Sequence, residues 1–144
     1  MSKEIVFASQ EEALQHLADL TGKRIKIAID NEEEFDRLNY LHDGLNRAAP
    51  KINNAIKEIE FSNLQKAAMQ FDKALDDFET TIRHDDEYKH YYEETLALLD
   101  SIGQEEELDE YQQQELKNKA VNLHKRVKED LGKMSQKIIQ IEGN

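Results

Sequence analysis

Apolar residues recur along this chain with two different rhythms. Near the N-terminus Ile5 and Phe7, and more clearly Ile25, Ile27 and Ile29 around Lys26 and Ala28, alternate with a period of two. That is the pattern of a strand with one face on a core. Between them Ser9 and Glu12 have the spacing of a capping box, and Ala13, Leu14, Leu17, Ala18 and Leu20 share one helical face before Thr21-Gly22 closes the segment. The pattern predicts strands over 4 to 8 and 23 to 29 flanking a helix, a small β-α-β element over residues 1 to 30. Two strands are marginal alone, so their apolar face is expected to rest on helices or on another molecule.

From Asp30 onward the period becomes helical, opened by Asp30 as cap with Glu33 three residues later. Leu38, Leu41, Leu45, Ala48, Ile52, Ala55 and Ile59 are spaced three and four apart, a heptad seam that keeps its frame across Pro50. A proline costs a helix interior about 3 kcal/mol, yet the unbroken frame favours one kinked helix over two. Ser62 and Gln65 suggest a second capping box after a reversal at Phe61-Ser62-Asn63, and Leu64, Ala68, Phe71, Leu75, Phe78 and Ile82 continue the seam. The frame then shifts and resumes as Tyr88, Tyr92, Thr95, Leu99 and Ile102, so the helix either breaks at Asp85 or changes winding there, and Gly103 ends it. After Glu105-Glu106-Glu107, a last helix places Leu116, Ala120, Leu123, Val127, Leu131, Met134, Ile138 and Ile141 on one face.

At about 1.5 Å per residue these helices are of similar length, and short connections make neighbours antiparallel. The expected fold is mainly α: an elongated antiparallel three-helix bundle over 31 to 144, with four helices if Asp85 is a true break, carrying the small element over 1 to 30. One proline and five glycines in 144 residues agree with long helices.

Charge changes the picture of partners. The net charge is −12, and residues 30 to 115 hold 24 acids against 8 bases, whereas residues 116 to 144 hold 3 against 7. Binding to phosphate backbones or anionic membranes comes from Lys and Arg displacing counterions, so neither direct nucleic acid nor membrane is an expected partner. A basic last helix lying along acidic neighbours would offset repulsion within the molecule. The N-terminal residues lack a secretory signal's apolar core, and no uncharged apolar run is long enough to span a bilayer, so a cytoplasmic location is expected. Without cysteine there is no disulfide, thiolate metal site or cysteine nucleophile.

Chemistry is sparse. His16, His42, His84, His90 and His124 are the residues poised near neutral pH. Glu87-Tyr88-Lys89-His90 has the E-x-x-H spacing of bundle metal sites, but those need two such motifs and two further glutamates, so neither metal nor cofactor is expected. Neighbouring acids such as Asp76-Asp77, Asp85-Asp86 and Glu93-Glu94 follow from composition, and no phosphate-cradling or nucleophile-elbow motif occurs. The tyrosines Tyr88, Tyr91, Tyr92 and Tyr111 are least explained by a plain bundle. Tyr91 and Tyr92 adjoin, so they cannot both face one seam, and tyrosine beside acids suits a protein interface.

The expected function is therefore a non-enzymatic protein interaction or assembly module that docks on a protein partner or on itself as a homo-oligomer. Its expected contact residues are Tyr88, Tyr91, Tyr92, Glu93, Glu94, Glu105, Glu106 and Glu107. One alternative is an acidic inhibitor that presents carboxylates, such as those of Asp72, Asp76 and Glu79, where phosphates would lie in a nucleic-acid-binding protein. Another is a metal-binding bundle resting on His90.

Overall fold

The computed structural model describes the backbone of residues 10–103 and 108–142 and the side chains of residues 30–103 and 108–142. Among the described residues the regular structure is helical: α1 (Gln10–Glu60), α2 (Leu64–Glu79), a 3-10 turn (Ile82–His84), α3 (Lys89–Gly103) and α4 (Glu110–Glu142). Backbone contacts divide the chain into two units, Met1–Asp36 and Arg37–Asn144.

In the first unit residues 10 to 36 belong to α1. The strand expected at 4 to 8 lies outside the described residues. Residues 23 to 29 are helical, which corrects the second expected strand, and α1 neither closes at Gly22 nor begins at Asp30. The three alternating isoleucines cover too short a span to fix a period. A helix satisfies every N–H and C=O of such a segment locally, whereas a strand needs a neighbour to do so.

The second unit is an up-down-up-down bundle of four helices, so Asp85 marks a true break. Lys51 binds Asp77, and the Tyr40 hydroxyl donates to the Thr80 carbonyl, tying α1 to α2. His42 with Ser135 at 3.0 Å and Glu60 with Lys117 at 3.0 Å tie α1 to α4. Tyr91 with Asp130 and Glu94 with Arg126 tie α3 to α4. In each pair of helices the residue number rises along one as it falls along the other, so neighbours are antiparallel. α3 packs on both α2 and α4, while α2 and α4 make no close backbone approach and lie across the diagonal.

All seven seam residues of α1 from Leu38 to Ile59 are buried, and α1 continues through Pro50. Pro50 and Asn46 are both on the exposed side, so the Asn46 carbonyl that loses its helical donor faces water and the break costs less than inside a core. In α2 the buried residues are Ala67, Phe71, Ala74, Leu75 and Phe78, a face slightly rotated from the expected one, with Leu64 and Ala68 at its edge. α4 buries Leu116, Ala120, Leu123, Val127, Leu131 and Met134 as its spacing predicts.

The turn between α1 and α2 is built differently from the expected capping box. The Ser62 N–H donates to the Ile59 carbonyl at 3.0 Å and the Asn63 N–H to the Glu58 carbonyl at 2.8 Å, the paired bonds of a Schellman cap. Ser62 takes the left-handed conformation at φ 59°, and its hydroxyl donates to Gln113 in α4 at 3.0 Å instead of capping α2. At the start of α4 a reciprocal box does form: the Asp109 N–H donates to Gln112 Oε1 at 3.0 Å, and the Gln112 N–H to Asp109 Oδ1 at 2.8 Å.

Two substitutions test this packing. A Cβ on Gly44 would lie 2.0 Å from Thr81 Oγ1 and 2.5 Å from Thr81 Cβ, so α1 and the end of α2 are closer than any other residue permits. Gly44→Ala is expected to destabilise by about 1–2 kcal/mol, because overpacking outweighs the helix-propensity gain; a raised midpoint in urea would contradict the close approach. At Ser62 a side chain pays left-handed strain that glycine avoids. Ser62→Gly is therefore expected to stabilise by about 0.5–1 kcal/mol, read as a rise in thermal midpoint, and a fall would show that the bond to Gln113 outweighs the strain.

Candidate interaction surface

The surface around α3 is organised by Asp85. Its carboxylate accepts the N–H groups of Glu87 and Tyr88, both at 3.2 Å, and so caps the turn that leads into α3. The same carboxylate accepts Arg37 Nε at 2.9 Å and Nη2 at 3.2 Å from α1, while Glu87 takes Nη2 at 3.2 Å. Because α3 begins at Lys89, Glu87 lies ahead of the helix with its carboxylate on Arg37. The E-x-x-H pairing of Glu87 with His90 on one helical face is therefore not formed. No group of three His, Asp or Glu side chains that could hold a metal occurs among the described residues.

The tyrosines fall into distinct environments. Tyr88 and Tyr91 are buried, at 6% and 2% exposure, so neither ring has a free face. Tyr91 donates its hydroxyl to Asp130 in α4. Burial first, then the bond to Asp130, holds the Tyr91 phenol well above its ordinary pKa, and burial with Glu87 does the same at Tyr88. Both stay protonated donors at any physiological pH. Tyr92 is half-buried with Arg83 stacked 5.2 Å from its ring centre, whereas Tyr111 is 77% exposed on α4. Adjacent Tyr91 and Tyr92 do divide, but in the reverse of the expected seam: Tyr91, Thr95 and Leu98 are buried, while Tyr92, Leu99 and Ile102 are only partly so, because the turn at Asp85 sets the rotation of α3.

The expected acidic contacts also divide. Glu94 is half-buried and paired with Arg126, which also lies 5.8 Å over Tyr91 and donates its Nε to Asn122 at 2.7 Å. Glu93 is exposed and has no ion-pair partner among the described residues. Glu105, Glu106 and Glu107 lie outside the described residues. Below the Glu94–Arg126 pair, α3 and α4 leave a groove of about 380 Å³ floored by Ala97, Leu98 and Leu123.

Two further sets of exposed residues were not grouped as surfaces by sequence, although Asp72, Asp76 and Glu93 were named there singly. On the α2–α3 hairpin, Met69, Asp72 and Asp76 share one face of α2, and Glu93, Leu96 and Asp100 share one face of α3, all exposed. On α4, Val121, Lys125, Lys128 and Ile139 share one outer side, whereas Lys133 and Lys137 lie on another, with exposed Glu129 between the two. Lys117 and Arg126 of α4 do pair within the molecule, with Glu60 and Glu94. The four lysines from 125 to 137 have no ion-pair partner among the described residues. His124 adds no charge beside them near neutral pH, because burial and then Lys128 lower its pKa. The helical period alone would have grouped each set; what the sequence lacked was which face the core leaves open.

The Tyr91–Asp130 bond is expected to hold α3 on α4. Tyr91→Phe should cost about 1–2 kcal/mol by leaving a partly buried carboxylate short of a donor, measured by urea unfolding; an unchanged midpoint would show that the phenol is dispensable. Compared with protein family models, with curated proteins and with solved structures, the chain matches none.

Proposed function

We propose that this chain is a non-enzymatic protein interaction or assembly module whose docking surface is the outer face of the α2–α3 hairpin. One observation carries the reading. Asp72, Asp76, Glu93 and Asp100 stand exposed without ion-pair partners among the described residues, around Met69 at 58% and Leu96 at 37% exposure. Apolar anchors inside a charged rim are the usual anatomy of a protein interface. The hairpin beneath is held by Asp85 and by the buried Tyr88 and Tyr91, which act as support for the surface and leave Glu93 as the expected contact residue that lies on it.

The rows of carboxylates also favour a second reading, the inhibitor that stands in for a phosphate backbone. The two differ in what holds the partner. Carboxylates in a basic groove lose affinity as screening shortens from about 10 Å at 0.1 M salt to about 3 Å at 1 M, whereas apolar burial is not screened.

Affinity capture from the source cell's extract, with purified partner then titrated at both salt concentrations, tests the proposal. Changing Met69 and Leu96 to Ser is expected to weaken binding at least tenfold with the circular dichroism unchanged, and binding is expected to persist at 1 M salt. If charge reversal at Asp72, Asp76, Glu93 and Asp100 abolishes binding while the serine variant binds normally, and nucleic acid competes for the partner, the mimic reading replaces this one. Capture indifferent to both variants removes the hairpin face from the function.

A further inference from the structure

We infer that the groove between α3 and α4 binds a small amphipathic carboxylate, an apolar chain or ring that bears one anionic group. The groove shares no residue with the hairpin face and stands on different observations. Asn118, Lys119, Asn122 and Arg126 make its α4 wall, Glu94, Ala97 and Ser101 its α3 wall, and Leu98 and Leu123 lie beneath. Its volume of about 380 Å³ falls in the range of small-molecule sites, which combine an apolar lining with a few convergent polar groups.

Hydrogen bonding decides what those polar groups can take. Arginine only donates, so Arg126 Nε, 2.7 Å from Asn122, bonds to the Oδ1 of that side chain. The Asn118 Oδ1 is likewise engaged, by Gln114 Nε2 at 2.9 Å. With its carbonyl oxygen in use, each amide turns its NH2 group to other partners. Glu94 takes one N–H from each terminal nitrogen of Arg126, which leaves the guanidinium two further N–H groups. Lys119 meets Glu115 at 3.5 Å along the exposed side of α4, a solvated pairing that holds it weakly. Across the groove, both Glu94 oxygens are held by Arg126, and the Ser101 hydroxyl gives its proton to the Ala97 carbonyl at 2.9 Å. What the α4 wall still offers is chiefly N–H, so a ligand must bring the oxygens.

Charge narrows the class. Lys119 and Arg126 carry two positive charges against the single negative charge of Glu94 among the groove residues, an excess that suits a monoanion. Glu115 beside Lys119 offsets part of it through water. The net charge of −12 opposes an anion at long range, but that field is screened beyond about 10 Å at 0.1 M salt. Shape supplies the rest. From Asn118 to Arg126 α4 rises about 12 Å, the reach of a medium-length acyl chain, and Ala97 places a small side chain where a larger one would close the groove. The carboxylate meets the donors of α4 while the apolar part lies on Ala97, Leu98 and Leu123.

The test titrates octanoate, and octanol as its neutral counterpart, into the full chain and follows amide shifts by NMR. Octanoate is expected to give saturable shifts at Leu98, Asn118, Asn122 and Leu123. It should bind at least about tenfold more tightly than octanol, the scale of one charge-assisted hydrogen bond. Ala97→Phe, which fills the groove, should abolish binding of both with the helical circular dichroism unchanged; if that variant loses its helix, Ser101→Phe takes its place. Lys119→Gln with Asn122→Leu should bring octanoate down to the affinity of octanol. Shifts that never saturate, or that scatter over exposed apolar residues such as Met69 and Ile139, overturn the inference. Equal affinities for octanoate and octanol in the wild type, or binding retained in the filled groove, do the same.

Discussion

Asp85 accepts hydrogen bonds from two backbone N–H groups and from the Arg37 guanidinium, and the topology turns on what that arrangement forbids. Ahead of it the apolar seam of α2 runs through Phe78 to Ile82; after it the seam resumes in another frame. A helix carried straight through would have turned Tyr88 and Tyr91 out of the core and left Arg37 without its carboxylate. By taking the first N–H groups of the next segment, Asp85 makes the interruption inexpensive, and by binding Arg37 it fixes where α3 must start relative to α1. The antiparallel placement of α3 between α2 and α4, and with it the pairing of Tyr91 and Glu94 across to α4, follows from that starting point.

Much of the bundle was legible because α1 and α4 carry long, regular seams. The spacing from Leu38 to Ile59 survives Pro50, and that from Leu116 to Met134 is buried position by position. The break at Asp85 was readable as a frame shift, but choosing between a break and rewinding required Arg37, which lies 48 residues away and leaves no local trace. Period two over Ile25, Ile27 and Ile29 misled because three residues cannot outvote the helical spacing on either side. The Ser62 box failed for a different reason: a tight reversal needed a left-handed residue at that position, and a serine can serve there as well as at a cap. Asp109 and Gln112 had the right spacing for the cap they form, hidden among acids that looked alike.

The site was less legible than the fold. Tyrosine beside acid suggested a contact surface, and in Tyr88 and Tyr91 the same combination is a buried hydrogen-bonding support. A phenol that finds a carboxylate across a helix pair has no cause to face water, and sequence does not reveal which carboxylates are within reach. Charge was informative only as an average. Part of the basic surplus of the last helix is consumed by Glu60 and Glu94 inside the molecule, and the rest stays exposed, a division that depends on which neighbours α4 has.

α3 fully buries only Tyr91, Thr95 and Leu98, against six residues in α4 and five in α2. One of the three is a threonine whose hydroxyl donates to the Tyr91 carbonyl at 2.7 Å, so its contribution to the core is partly a bond within α3 itself. Beyond these, Tyr92, Leu99 and Ile102 pack on the core only partly buried, and a phenol on Asp130 and a guanidinium on Glu94 join the helix to α4. Local opening free energies across a domain follow buried apolar contact, so amide hydrogens of α3 should exchange through a partial unfolding that leaves α1 and the middle of α4 protected. The bundle then has a graded stability, in which a three-helix remainder outlasts transient release of α3 and briefly uncovers Leu123 and Val127 without global unfolding.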